Sequence, residues 1–161
     1  MDDVERITQQ WRQINPELDT SALPIVGRIL RIAALVSRHN DAALHARGLT
    51  RGEFDLLCAL RRCDRPLRAA EICTLTGVSG AAITKWSEAL VGAGLIERTI
   101  PERDRRGVLL ALTDAGRQTV DTHLPEHLAR EGATVSTLSA AERETLAGLL
   151  AAVLDAAEVA G

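Results

Sequence analysis

Arg103, Arg105 and Arg106 crowd three guanidinium groups into four consecutive positions, with Asp104 among them, between Pro101 and Gly107. A basic turn of this kind can enter a minor groove, where the potential of a duplex is most negative. A solvated surface turn has the same composition. A second run, Ser79-Gly80-Ala81-Ala82-Ile83-Thr84-Lys85-Trp86-Ser87, is small and polar on one face and carries no acid until Glu88. A helix whose first turns approach base edges needs short side chains, because bulk holds the backbone away. Ser79, Thr84 and Ser87 can donate to phosphates or bases. Gly80, Ala81 and Ala82 keep the surface low, the alanines able to meet thymine methyls, and Lys85 fits a phosphate contact. Arg68, near the start of the preceding helix, can clamp the neighbouring backbone. Taken singly, each is ordinary helix surface; the arrangement carries the reading.

Catalytic chemistry finds no comparable support. The chain holds no G-x-S-x-G, P-loop or G-x-G-x-x-G string, and no nucleophile–base pair suggests itself, so an enzyme is not expected. Of His39, His45, His123 and His127, the last two stand at i,i+4 and can share a metal, but no glutamate or cysteine of the segment obviously completes the set. Surface histidines, with no metal and no cofactor, are the expectation. Cys58, Cys63 and Cys73 are odd in number and match no C-x-x-C spacing, which argues against a disulfide framework or thiolate zinc. Asp55, between Phe54 and Leu56-Leu57, is expected to be partly buried and to want a cation or donor; an i−4 pair with Arg51 serves equally.

These side chains must be positioned by helices. Val4, Ile7, Trp11 and Ile14 give an amphipathic helix that Asn15-Pro16 ends. A second is expected to start at Asp19-Thr20-Ser21 and to stop at Gly48. Thr50 and Glu53 form a capping box for a third, Phe54 to Arg62. Leu67–Thr76, Gly77, then Ser79 to about Gly92 has the spacing of a helix-turn-helix. Leu95–Ile100 and Val108–Leu112 are strand candidates flanking the basic loop, which makes a winged helix. Thr113-Asp114 caps a sixth helix that Pro125 should kink or interrupt, and Ser139 with Glu142 opens a last one.

Composition narrows the class further. The 161 residues are 46% hydrophobic and 25% charged, but only 2% aromatic, so the core must be aliphatic, which packs well as helices, and the scarcity argues against stacking platforms for single strands. The net charge of −3 argues weakly against nucleic acid until the arginines are located. No apolar run reaches the ~18 residues of a membrane span. The acidic N-terminus does not suit a signal peptide, so a cytoplasmic protein with no membrane partner is expected.

The order of helices, the "GLIER" string at Gly94–Arg98 and "ERDRRGVLLALTDAGR" at Glu102–Arg117 together resemble the MarR family of transcriptional regulators. Asp104, Arg106, Leu112, Thr113 and Gly116 are the specific part. The resemblance implies a mainly α fold with a small β-hairpin wing, in one domain over 1–161: dimerisation helices at 1–47 and 118–161, and a winged helix-turn-helix lobe at 48–117. It implies a homodimer on a pseudo-palindromic operator, recognition helices in major grooves and wing arginines in minor grooves, with Asp104–Arg106 pairing holding the wing's shape. Leu146, Leu149, Leu150, Val153 and Leu154 exceed what one small core needs, which suits pairing with a second copy.

The extra helix with Trp11 is similar to the urate-responsive subgroup, in which a tryptophan, an aspartate and two arginines bind the ligand. Trp11, Asp55 and Arg98 fall on three of those positions, while Trp86 occupies the fourth in place of arginine, removing one cation. A flatter or less charged effector then fits better than urate, or Trp11 is only an anchor for its helix and Trp86 core or pocket wall. The expected function is a repressor released by an anionic or aromatic effector through its unequal affinity for two lobe arrangements. The alternative trigger is thiol oxidation at Cys58 or Cys63, near Arg61, Arg62 and Arg65.

Overall fold

In the computed structural model, which describes residues 1–100 and 108–160, short-range caps start most of the helices. The Asp2 carboxylate accepts from the backbone N–H of Glu5 at 2.8 Å and opens α1 (Asp3–Ile14). This bond and the Arg28 guanidinium hold the Asp2 carboxyl below its ordinary value. Arg28 lies on α2 (Leu23–His45) and reaches Asp2 at 2.8 Å and Glu5 at 3.4 Å, so charge ties α1 down. The apolar stripe of α1 behaves differently from its periodicity: Thr8 is buried, whereas Ile7, Trp11 and Ile14 are exposed. The start of α2 also departs from expectation. Its N-cap is Ala22, without a side-chain bond; Asp19 instead accepts from the N–H of Ser21, and Thr20 accepts from Arg12, so these oxygens are spent on the turn.

The capping box at Thr50 and Glu53 opens α3 (Arg51–Cys63) as its sequence requires. The helix ends at Asp64, whose φ of 49° is a left-handed position that Asp tolerates better than most residues. Leu67–Arg68 is not helical. It forms a short strand, β1, ahead of α4 (Ala69–Thr76). Gly77, at φ 69°, makes the tight turn, and Ser79 accepts from the N–H of Ala82 to open α5 (Gly80–Gly92). The strands β2 (Ile96–Thr99) and β3 (Leu109–Leu112) follow. All three strands form one antiparallel sheet with β3 in the middle: Leu67 stands opposite Leu110, and Arg98 opposite the same leucine on the other side.

Next comes α6 (Asp114–Thr134), which runs through Pro125 without the expected interruption. A proline withdraws one backbone donor, and the turns on either side carry the helix across it. Ser139 and Glu142 cap α7 (Ala140–Ala160) reciprocally.

Contacts divide the chain into two compact units, Met1–Val120 and Asp121–Gly161. Among the described residues, every fully buried apolar side chain lies between Leu44 and Val120, with Phe54, Leu57, Leu67, Ile72, Ile83 and Leu90 at the centre. The second unit holds none of them. On α7, Leu149, Val153 and Leu154 are exposed. No helix among the described residues is long and apolar enough to cross a membrane.

Candidate nucleic-acid interface

Burial sorts the residues of α5 into two faces. Ile83, Ser87 and Leu90, at i, i+4 and i+7, turn inward. Ser79, Gly80, Ala81, Thr84 and Lys85 are exposed, and Ala82 is half-buried. The outward surface of the first two turns is therefore low and carries no acid, with a single cation at Lys85. The hydroxyl of the exposed Thr84 donates to the Gly80 carbonyl at 2.9 Å, and its oxygen can still accept.

Ser87 is not part of the outward face. Its residue type points to DNA, yet it is 2% exposed. Its hydroxyl donates to the Thr84 carbonyl at 2.9 Å and accepts from the Arg98 guanidinium at 2.7 Å. A buried hydroxyl must be paired, and here both of its roles are used inside the lobe. Arg68 is exposed at the junction of β1 and α4, and its backbone N–H donates to Glu71 at 2.9 Å. Arg103, Asp104, Arg105 and Arg106 lie outside the described residues, between the ends of β2 and β3.

The four residues considered for a ligand are not gathered in one place. Asp55 and Trp86 line a cavity of about 240 Å³ together with Cys58, Arg62, Leu75 and Ile83. Asp55 is exposed, not partly buried, and pairs with Arg51 at 3.6 Å, the i,i+4 alternative. Trp86 is half-buried against α3, beside Gly52. Arg98 lines a different cavity of about 460 Å³, with Arg68, Thr84, Ser87, Val108 and Leu110. Trp11 is half-exposed on α1. Ile83 contributes to the walls of both cavities. Ile83, with Leu90 at i+7, is marked by the helical period as the inward side of α5.

Burial and the nearby Asp55 carboxylate push the Cys58 thiol up to about 11, with Arg62 opposing them weakly. Such a thiol stays protonated at neutral pH and is a poor nucleophile. Cys63 and Cys73 are half-buried, and all three cysteines are free. No cluster of three or more metal-ligating side chains occurs among the described residues. His127 pairs with Glu131 one turn along α6, at 3.2 Å.

The string that closes the lobe has a physical basis. The Thr113 hydroxyl donates to the Gly94 carbonyl at 2.7 Å and accepts from the Gly116 N–H at 3.1 Å, pinning the start of α6 to the turn before β2. Gly116 packs directly on the Leu95 carbonyl, with no room for a side chain. Arg117 then reaches Asp64 at 2.9 Å, joining α6 to the end of α3.

Comparison with known proteins agrees with this architecture. The MarR family profile matches residues 49–108, from the cap of α3 to the start of β3. The HTH-type transcriptional regulator PecS of Dickeya dadantii is 31% identical over 153 residues, covering 94% of this chain and 92% of its own. Among solved structures, AbsC of Streptomyces coelicolor superposes with a TM-score of 0.78 at 22% identity, over 88% of this chain and 97% of its own, a likeness of fold. A mutant MarR of E. coli complexed with operator DNA gives a TM-score of 0.70 at 27% identity, over 89% and 97%. The chain belongs to the MarR family of transcriptional regulators.

Proposed function

We propose that this regulator is a cytoplasmic homodimer that represses transcription by occupying a pseudo-palindromic operator in double-stranded DNA. One observation carries the DNA reading: the outward face of α5 is exposed, small and acid-free over Ser79, Gly80, Ala81, Thr84 and Lys85, while its other face is built into the core. Such a face fits a major groove, with Ala82 at its edge and Arg68 on the adjoining backbone. Arg103, Arg105 and Arg106 supply charge for the neighbouring minor groove, with Asp104 paired to Arg106 in the role of holding the wing's shape. The exposed leucines of α7 are the surface for a second copy. The reading needs no catalysis and no cofactor.

The cavity beside Asp55 and Trp86 is the proposed effector site. It has an aromatic wall, a carboxylate and the Arg62 guanidinium, and it opens against the inner face of the recognition helix. An aromatic molecule seated there acts on DNA binding to the extent that it prefers one placement of α5 over another.

Fluorescence anisotropy of labelled DNA from immediately upstream of the gene tests this reading across a salt series, with and without urate. Tight binding that weakens steeply with salt, by a log–log slope of about −0.9 per phosphate neutralised, is expected. Absence of binding at low salt, to this DNA and to random duplex alike, overturns it. Release by urate assigns the cavity to urate; indifference to urate directs the search to other aromatic molecules.

A further inference from the structure

Ser87 interrupts an otherwise aliphatic stripe. Ile83 and Leu90 flank it on the buried face of α5, and a polar group at such a position is costly unless its bonds are made inside the protein. Its acceptor role is filled from β2. Ile96 of that strand is buried; two residues on, the same face of the strand carries Arg98, which extends its guanidinium to the Ser87 hydroxyl at 2.7 Å. This is a charge-assisted bond, the stronger kind, and the Thr84 carbonyl orients the hydroxyl by accepting from it at 2.9 Å.

The bond spans the edge of the 460 Å³ cavity, whose walls are α5, the start of α4 and the inner face of the hairpin at Val108 and Leu110. Two residues beyond Arg98 the chain leaves β2 and passes into the loop that carries Arg103, Arg105 and Arg106.

We propose that Ser87 and Arg98 are a positioning pair: a buried hydroxyl on the recognition helix holds the strand that leads to the wing, and so fixes the angle at which helix and wing reach DNA together. Neither residue touches the duplex in this role. The proposal rests on the DNA-binding reading above and adds to it a residue pair that sets operator geometry.

The test uses the full-length protein as wild type, Ser87→Ala, Ser87→Thr, Arg98→Gln and the double variant Ser87→Ala/Arg98→Gln. Each is titrated with the same upstream DNA, footprinted with hydroxyl radicals and melted. Ser87→Ala and Arg98→Gln should each weaken binding by about tenfold, and the double variant should be no weaker than either single one, because both remove the same bond. Minor-groove protection beside each half-site should fade while major-groove protection persists. Ser87→Thr, which keeps a hydroxyl, should bind within about twofold of wild type. Arg98 is exposed, so Arg98→Gln carries the test if Ser87→Ala melts early. Wild-type affinity and an unchanged footprint in Arg98→Gln overturn the pair. So do losses that multiply in the double variant, since Arg98 would then act on DNA by itself. A wild type that binds no DNA removes the function on which the pair depends, and is read from the first titration alone.

Discussion

The indole of Trp86 lies against the backbone of Gly52, so close that a β-carbon on that glycine would overlap the ring. Gly52 sits in the first turn of α3, and Trp86 in the middle of α5, so this contact fits the recognition helix onto the helix behind it.

Replacing Gly52 with alanine should therefore displace the indole. Overpacking of this kind costs about 1–3 kcal/mol, against a gain of about 1 kcal/mol from alanine's better helix propensity. A net loss in urea denaturation is expected, with a shift in tryptophan emission. In a Trp86→Ala background the same substitution should become neutral or stabilising; a loss of equal size in both backgrounds would show that the two residues are not coupled.

Gly116→Ala meets a harder obstacle, because the atom in the way is the Leu95 carbonyl oxygen and not a movable side chain. A loss of about 1–3 kcal/mol is expected, since α6 must shift on its first turn. Thermal unfolding measures it. An unchanged midpoint would mean that the turn at Gly94–Leu95 yields freely.

The Cys58 thiol should resist alkylation. Its folded value near 11 lies above the ordinary 9.0, so iodoacetamide at pH 7.5 should label Cys58 more slowly in the native state than after denaturation. The sign for stability follows: the contribution is complete below pH 9 and falls as the pH rises toward 11, where the unfolded chain ionises first. Peptide mapping after timed alkylation reads the first effect. Rapid labelling of Cys58 in the native protein would reopen thiol oxidation as the trigger.

Leu149→Asp with Leu154→Asp should weaken self-association at least about tenfold if α7 is the proposed surface for a second copy, because both side chains stand exposed on that helix. Sedimentation equilibrium gives the constant. The same dimer constant in wild type and variant would place the subunit interface elsewhere.

Features written within four residues of one another are legible in the amino-acid sequence. Thr50 with Glu53, Ser79 with Ala82, and Ser139 with Glu142 are bonds closed inside one turn, and all three helices begin where their caps stand. What depends on distant partners is not. Leu67–Arg68 becomes a strand through pairing with Leu109 and Leu110, some forty residues on, and nothing local distinguishes it from a first helical turn. The side chains of Asp19 and Thr20 have the chemistry of caps, but other donors claim them first. Ser87 misleads for a different reason. Its residue type suggests an outward donor, while its place in the Ile83–Leu90 period, the better guide, points inward. The separation of Arg98 from Asp55 cannot be read from the chain at all, because it depends on which side of α5 each neighbouring element packs.

Ile83 has a consequence for how this regulator can be retuned. It lines two cavities, of about 460 Å³ and about 240 Å³. Trimming it to alanine would remove side-chain volume from the wall of both, without replacing any residue on the outward face of α5. Enlarging it would shrink both at once. What the lobe can enclose and what it can present to solvent are thus set by different residues of the same helix, so each can drift while the other is held.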